Sequence, residues 1–301
     1  MPRIAVVGHV CVDVRVRPTT EFPERGHLVI TDEVNFVVAG MVGNIGRVLG
    51  PLGEPVFAVC RVGSDATGDL VAAELATWAD PRWISQSSTA ATAGPVVVVL
   101  PDGERSFIHA KGANTEFAAS HVPLADLAAA GVRYLHLGYA LLLPALDGSP
   151  MTEVLREARV LGMTTSLDMT WDPTGRWMQD IGPLLPHVDI FCPNDVEATA
   201  LTGCADPTQA ALALIEAGVQ QLAIVTRGAH GVTAAWADGR TRSFPASPAA
   251  IIDTTGAGDC FYGGLLTGLA RGASDDDAIA LGIRAATEAI SRSEPWKPES
   301  K

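Results

Sequence analysis

Short runs of apolar and β-branched residues alternate with segments of helical periodicity along most of the chain. Continuous apolar runs of this kind are typical of strands that are buried on both faces. Their alternation with helices predicts β-α units and a mainly parallel central sheet, covered by helices on both sides in a three-layer α/β/α arrangement. The predicted core strands are 4–7, 56–59, 134–137, 164–167, 190–192 and 222–226.

Two regions depart from this alternation, at about 10–38 and 96–110. Strand-like runs meet there without intervening helices, and Pro101-Asp102-Gly103 has the composition of a hairpin turn. We expect these two regions to form a small β lid. The rest of residues 1–301 is expected to fold with it as a single domain.

Composition supports a large globular core and limits the classes of binding partner. Of the 301 residues, 48% are hydrophobic, and 34 acidic against 21 basic residues give a formal net charge of −13. This charge disfavours nucleic acid and anionic membranes as partners. No long apolar run could span a membrane, the N-terminus lacks a signal-peptide layout, and the five cysteines form no C-x-x-C pair. A cytoplasmic location is therefore predicted.

The segment that suggests chemistry is 251–259, a strand-like entry into a glycine-rich turn, followed by a small-residue helical pattern at 260–270. A turn of this kind points successive N–H groups at one anion, and the helix dipole favours negative charge there. Asp259, at the beginning of the helix, could accept a proton from a hydroxyl beside that anion. The alternative is an ordinary helix-capping aspartate. P-loop and G-x-G-x-x-G motifs are absent from the sequence.

The run D-T-T-G-A-G-D-C-F-Y-G-G at 253–264 closely resembles the C-terminal signature of the ribokinase-like (PfkB) carbohydrate kinase family. The resemblance implies a ribokinase-like fold and transfer of phosphate from ATP to a small-molecule hydroxyl. It also implies that Asp259 is the catalytic base and that Asp253 shapes the loop, in some relatives beside a monovalent cation, so K⁺ is a candidate cofactor. The anion hole would be formed by Gly256, Ala257 and Gly258.

On the acceptor side the resemblance continues in chain order. G-H-V-C-V-D at 8–13 resembles the family's first strand, which would make Asp13 a ligand for substrate hydroxyls. A-G-M-V-G-N at 39–44 resembles the N-terminal glycine signature, without the lysine of ribokinases proper, and 102–114 resembles a lid hairpin with its substrate-side strand. These stretches imply contacts with the acceptor from Gly40, Asn44, Arg105 and Asn114. For each residue a structural role in a turn or a packed loop is the alternative.

Two further motifs suggest residues that contact the nucleotide. N-D-V-E at 194–197 resembles the family's N-x-x-E motif, which implies that Asn194 acts towards phosphate and Glu197 on Mg²⁺ through water. T-R-G-A-H-G at 226–231 resembles an ATP-contacting turn, which implicates Thr226, Gly228 and Gly231. A helix cap and a plain turn are the respective alternatives. Asp172 stands where fructokinase and ketodeoxygluconate kinase relatives often have arginine, which argues against both subclasses.

We therefore expect an ATP- and Mg²⁺-dependent kinase acting on a sugar or sugar-like molecule. A nucleoside kinase and a non-catalytic sugar or nucleotide sensor remain alternatives, and a nicotinamide-dependent oxidoreductase is disfavoured because its glycine fingerprint is missing. Exposed strand edges of the lid favour pairing, so a homodimer through the lid is also predicted.

Overall fold

The computed structural model describes residues 3–17, 24–99, 105–252 and 254–291. The strands are β1 Arg3–Gly8, β2 Cys11–Arg17, β3 Glu33–Ala39, β4 Val56–Gly63, β5 Asp80–Ser87, β6 Gly94–Val99, β7 Arg105–Ala110, β8 Val132–Ala140, β9 Thr164–Met169, β10 Ile190–Phe191, β11 Leu222–Thr226, β12 Val232–Trp236 and β13 Thr241–Phe244. The helices are α1 Gly40–Leu52, α2 Ala66–Leu75, α3 Leu124–Ala129, α4 Ser149–Val160, α5 Met178–Ile181, α6 Asp195–Thr202, α7 Pro207–Glu216, α8 Ala257–Ala270 and α9 Asp275–Ile290.

The central sheet has nine strands in the order β13-β12-β11-β10-β9-β8-β1-β4-β5. All neighbours from β11 to β5 run parallel, and only β12 and β13 at one edge are antiparallel. The six predicted core strands all fall on observed strands, with Cys192 just beyond the two-residue β10. The predicted mainly parallel sheet is confirmed.

Successive residues of β1 bury their side chains in different clusters, which explains its unbroken apolar run. Ile4 and Val6 belong to a core shared with α1, α8 and α9, whereas Ala5 and Val7 belong to one shared with α3 and α4. Because side chains alternate between the faces of a strand, the sheet is buried on both sides. The predicted three-layer architecture is confirmed.

A second sheet of four strands, in the order β3-β2-β6-β7, lies beside the first. Its strands come from the two regions in which the sequence predicts a lid, and β2 pairs antiparallel with β3 and parallel with β6. The β6–β7 pair is antiparallel, as in a hairpin. The predicted turn at Pro101-Asp102-Gly103 lies outside the described residues.

Small residues on α8 allow α9 to pack closely against it. A Cβ atom at Gly264 would lie 2.6 Å from the carbonyl oxygen of Leu281, and one at Gly268 would lie 2.6 Å from the Cα of Ala278. This contact fixes the start of α8, where the glycine-rich turn ends. Across the four described ranges, the helices are all too short or too polar to cross a membrane.

Candidate active site

The glycine-rich turn enters α8 through a left-handed residue. Gly256 has φ of 74° and precedes the helix, and its carbonyl oxygen accepts the N–H of Cys260 at 2.9 Å. N–H groups in the first turn of a helix have no intrahelical acceptor. A Cβ atom at Gly258 would meet nothing within 4 Å, so the helix begins beneath open space. The turn therefore presents N–H donors to a site that could hold an anion, and the N–H of Ala257 also donates to the Thr254 carbonyl oxygen at 3.3 Å.

Asp259 is buried in the first turn of α8, with 3% of its surface exposed. Its Oδ2 accepts hydrogen bonds from Asn44 Nδ2 at 2.8 Å and from the Tyr139 hydroxyl at 2.9 Å, while its Oδ1 has no partner. Burial raises the pKa of Asp259 to about 6, although these two hydrogen bonds oppose the rise. A carboxylate that titrates near neutral pH is suited to general-base chemistry.

Around Asp259 lie other buried polar atoms without partners. Asn44, near the start of α1, bonds to Asp259 through its amide nitrogen but leaves Oδ1 unsatisfied, and His9 leaves Nδ1 unsatisfied. Gly40 has φ of 73°, and a Cβ atom there would lie 2.6 Å from His9 Nδ1. Buried polar atoms normally have partners, so unsatisfied ones in a shared region indicate a polar ligand.

Asp13 lies on β2 and is also buried, but it is already paired. Its Oδ2 accepts hydrogen bonds from Arg15 Nε at 3.3 Å and Nη2 at 3.2 Å, and its Oδ1 accepts one from Cys11 Sγ at 3.3 Å. Both Arg15 distances are long for a charge-assisted bond, which is typically about 2.7–2.9 Å. Asp13 and Arg15 therefore form a long, buried ion pair on one face of the second sheet.

Three predicted residues remain: Asn114 and Arg105 on the acceptor side, and Asp253 at the cation site. Asn114 is fully buried and holds the backbone of Val10, donating to its carbonyl oxygen at 2.9 Å and accepting its N–H at 3.4 Å. Its amide is thus engaged in joining two segments. Arg105 begins β7, but its side chain lies outside the described residues, and so does the whole of Asp253.

The predicted nucleotide-side residues lie at the carboxyl ends of β10 and β11. Asn194 and Glu197 form a capping box at the start of α6: Asn194 Oδ1 accepts the Glu197 N–H at 2.8 Å, and Glu197 Oε2 accepts the Asn194 N–H at 2.9 Å. Asn194 also forms a parallel bridge with Thr226. Gly228 and Gly231 follow in a turn with φ of 51° and 80°, where a Cβ atom at Gly231 would lie 2.0 Å from the Phe244 carbonyl oxygen.

The charges of Asp259 and Glu197 act on a third carboxyl group, that of Asp168. The pKa of Asp168, at the end of β9, is raised well above its usual value by burial and by the charges of Asp259 and Glu197. Burial also raises the pKa of Glu197. In the described part of the chain, no three His, Cys, Asp or Glu side chains are close enough to hold a metal directly. Mg²⁺ held through its own waters would favour the ionised forms of these carboxyl groups.

Asp172 caps a turn of its own loop. Its carboxylate accepts hydrogen bonds from the Thr174 N–H and hydroxyl and from the Trp177 N–H, all within 2.7 Å. These bonds lower the pKa of Asp172 to about 2 against the effect of burial. The aspartate at the position of the family's arginine is therefore used in folding the loop.

No role was predicted from the sequence for four residues near the site: His9, Arg15, Tyr139 and Asp168. Tyr139 and Asp168 lie at or beyond the carboxyl ends of the predicted strands 134–137 and 164–167. Ligand sites in parallel sheets lie at these ends, so this rule could have found both. Arg15 follows Asp13 by two residues, the spacing that places side chains on one face of a strand.

Comparison with known proteins identifies one family match along nearly the whole chain. The family model for the pfkB family carbohydrate kinase matches residues 1–300. A cytidine kinase from Thermococcus kodakarensis is 38% identical over 116 residues, which are 38% of this chain and 41% of that protein. The ribokinase of Mus musculus is 28% identical over 270 residues, covering 87% of this chain and 80% of the relative.

The structure of Arabidopsis thaliana ribokinase, solved with ribose and ATP, superposes with a TM-score of 0.85 at 23% identity. The superposition covers 98% of this chain and 94% of that one. Ribokinase from Giardia lamblia gives a TM-score of 0.81, also at 23% identity, over 98% and 96% of the two chains. The ribokinase-like fold is thus confirmed, and the family model covers nearly the whole sequence. The chain belongs to the pfkB family of carbohydrate kinases, the family of ATP-dependent kinases that its sequence predicts.

Proposed function

We propose that this kinase transfers the γ-phosphoryl group of ATP to a hydroxyl of a sugar or sugar-like molecule, with Asp259 as general base. The observation that carries this proposal is the state of Asp259: it is buried at the start of α8, with one oxygen held by two donors and the other unsatisfied. An acceptor hydroxyl bonded to Oδ1 would satisfy that oxygen and place its proton on the base.

The acceptor would be oriented by the polar atoms that the fold leaves without partners. Asn44 Oδ1 and His9 Nδ1 can each take a hydrogen bond from a hydroxyl, and Gly40 leaves room beside His9. Asp13, with Arg15 attached, would bind a second hydroxyl, while Arg105 and Asn114 are proposed at the margin of this site. These groups suit a polyol, because a polyol carries several hydroxyls in fixed positions.

The phosphoryl group would lie over the start of α8, where the N–H groups of Gly256, Ala257 and Gly258 favour the negative charge that moves in the reaction. On the other side of this turn, Asn194, Thr226, Gly228 and Gly231 would contact ATP. Mg²⁺, when bound through water near Glu197, supplies positive charge that offsets the phosphate oxygens. A monovalent cation such as K⁺ at Asp253 remains a proposal.

The second sheet is proposed to act as a lid that excludes water from the site. Its outer face is apolar: Phe36 and Ile108 are 62% and 59% exposed and share that face through the pairs Val14–Phe36, Val14–Val96 and Val96–Ile108. Monomeric proteins seldom expose a contiguous apolar patch larger than a few hundred Å². This supports a homodimer through the lids. The cytoplasmic location stays a prediction.

A nucleoside kinase is the second candidate. The observation that favours it is the 38% identity to a cytidine kinase, the highest of the identities quoted above, although it covers only 116 residues. A second nucleoside kinase, the adenosine kinase of Schizophyllum commune, is 27% identical over 303 residues. Both candidates use the same base and anion hole and differ in the acceptor alone.

The test is release of ADP from ATP with Mg²⁺ and K⁺, measured against panels of sugars, sugar acids and nucleosides. We expect turnover with one panel, and we expect Asp259→Asn to reduce kcat at least ~100-fold, since general-base catalysis contributes about 10²–10⁴-fold. Asp126→Asn, an exposed aspartate on α3, is the matched control and should retain activity.

Turnover that survives in Asp259→Asn would eliminate this aspartate as the base. Binding of ligands without turnover on any panel would favour the sensor over the kinase. Because the three panels differ in the acceptor alone, they also decide between the sugar and nucleoside candidates.

A further inference from the structure

The backbone adopts a rarely occupied conformation at the end of β8, beside Asp259. Tyr139 has φ of 59° and Leu141 has φ of 80°, both in the left-handed region that residues with a Cβ atom seldom occupy. Such residues persist where surrounding contacts hold them, and they are frequent at functional sites. In this conformation the Tyr139 hydroxyl reaches Asp259 Oδ2 at 2.9 Å.

The two donors on Asp259 Oδ2 come from different parts of the fold. Asn44 belongs to α1 and Tyr139 to β8, whereas Asp259 itself belongs to α8. With Oδ2 fixed from two directions, rotation of the carboxylate is restricted. Oδ1 is then the oxygen that remains for a substrate proton.

We propose that Tyr139 is a positioning residue for the base: its hydroxyl holds Asp259 Oδ2, so that Oδ1 faces the acceptor hydroxyl and the carboxylate is kept ionised. This inference rests on the proposed function, since it takes Asp259 as the base. Tyr139 itself does not exchange a proton. Burial and the charge of Asp259 raise the pKa of Tyr139 well above its usual value, so the phenol keeps its hydrogen and remains a donor.

Tyr139 is supported from the second sheet. The ring of His9 lies 5.4 Å from the Tyr139 ring and 5.3 Å from the ring of His109, which is on β7. The Nε2 atoms of the two histidines are 3.4 Å apart. A continuous series of contacts therefore joins the proposed lid to the base, and Tyr139 is its last member before Asp259.

Loss of the hydroxyl should raise the pKa of Asp259, because a hydrogen bond to a carboxylate favours its charged form. His9 adds no charge near neutral pH, since burial first, and then the charges of His109 and Lys111, lower its pKa to about 3. The pKa of Asp168 is raised as well, so a probe specific to Asp259 is needed. Among the described residues, further titratable or charged groups near Asp259 and Tyr139 include Arg47 on α1, Cys11 and Asp13 on β2, and Cys260 on α8.

The experiment follows the carboxyl carbon of Asp259 by ¹³C NMR against pH in the whole protein, with the signal assigned by its absence in Asp259→Asn. We expect a midpoint near 6 in the native protein. In Tyr139→Phe the midpoint should move upward by about one pH unit, the shift that corresponds to one charged hydrogen bond. Tyr134→Phe is the matched control, because that hydroxyl also lies on β8 but donates to the carbonyl oxygen of Leu269 at 3.1 Å. It should leave the midpoint unchanged.

A kinetic measurement adds an independent readout. With an ionised base required, kcat/KM should rise with pH through the pKa of Asp259, and in Tyr139→Phe this rise should move to higher pH by the same amount while KM for ATP stays constant. An unmoved midpoint in folded Tyr139→Phe would overturn the inference. If no acceptor is phosphorylated at all, the proposed function fails, but the NMR midpoint still decides whether Tyr139 holds the carboxylate. If Tyr139→Phe does not fold, the hydroxyl proton of Tyr139 is followed by ¹H NMR in the native protein instead, and a chemical shift that does not change as Asp259 titrates would overturn the inference.

Discussion

Gly40 illustrates how the absence of a side chain shapes the acceptor site. Two features of this position favour glycine. The φ angle is 73°, and a Cβ atom would lie 2.6 Å from His9 Nδ1 and 2.9 Å from the His9 carbonyl oxygen. Contacts under 3.0 Å to backbone atoms force a shift of the chain. Gly53, at the other end of the same helix, has φ of 71° but no atom within 4 Å of its Cβ position.

This contrast gives a prediction. Gly40→Ala and Gly53→Ala should each lose about 1–2 kcal/mol for placing a Cβ atom in the left-handed region. Gly40→Ala alone should also displace His9 and lower kcat/KM for the acceptor at least ~10-fold, because the polar site is distorted. Thermal unfolding and acceptor kinetics of both variants measure the two effects. Equal kinetics in the two variants would contradict the assigned role of Gly40.

Individual residues also show what sequence can and cannot predict. The role of Asp259 is predictable from the sequence because the glycine-rich turn before it has a strong local pattern and resembles a family signature. Tyr139 was missed because its role depends on a left-handed φ and on a contact across 120 residues. The pairing of Asp13 with Arg15 needs the two side chains to be buried together, which spacing alone does not establish.

At the level of helices, the capping box of α6 combines folding and function. Asn194 satisfies the N–H of Glu197, and Glu197 satisfies the N–H of Asn194, so the cap fixes both side chains that are proposed to act near phosphate and Mg²⁺. The sequence left two interpretations of this motif open, a helix cap and a site near phosphate and Mg²⁺. The structure is compatible with both. One pair of side chains can serve both purposes.

Asn194→Ala should therefore lower both stability and affinity for ATP. Loss of an N-cap costs about 0.5–2 kcal/mol, and the freed Glu197 should raise KM for MgATP several-fold. Asp206→Ala is the matched control: Asp206 caps α7 by accepting the N–H groups of Thr208 and Gln209 and is exposed. It should lose similar stability with unchanged KM. If Asn194→Ala leaves KM for MgATP unchanged, the N-x-x-E assignment fails.

Three strands of the central sheet were not predicted: β5 and β13 are its two edges, and β12, which is buried throughout, lies next to β13. β5 has exposed or half-buried residues at most positions, and β13 is exposed along nearly its whole length. Edge strands lack the continuous apolar run that identifies interior strands, since one side and one face meet water. The parallel interior was therefore predictable and the edges were not.

For the whole molecule, net charge and local charge act in opposite directions. The chain carries a formal charge of −13, yet its proposed reaction handles the anionic phosphates of ATP. The start of α8 and the N–H groups of the turn provide local positive potential, and a divalent cation would favour the ionised forms of Asp168 and Glu197, whose pKa values are raised in its absence. ATP without Mg²⁺ should therefore be a poor ligand.

The outer face of the second sheet gives a prediction about assembly. Phe36, Ile108 and Val34 expose 62%, 59% and 52% of their surfaces on that face, and burial of such side chains against a second copy is favourable by about 25 cal/mol per Å² of apolar area. We expect the native protein to sediment at twice the 31.4 kDa mass of the chain.

A charge at the centre of this face should separate the two copies, so Phe36→Asp should sediment as a monomer. Because the second sheet also carries Asp13 and His109 on its inner face, loss of the partner should raise KM for the acceptor more than KM for ATP. Leu70→Asp, at a 40% exposed leucine on α2, is the matched control and should remain a dimer. A native protein that is already monomeric at micromolar concentration would refute pairing through the lid and leave the apolar face without a partner.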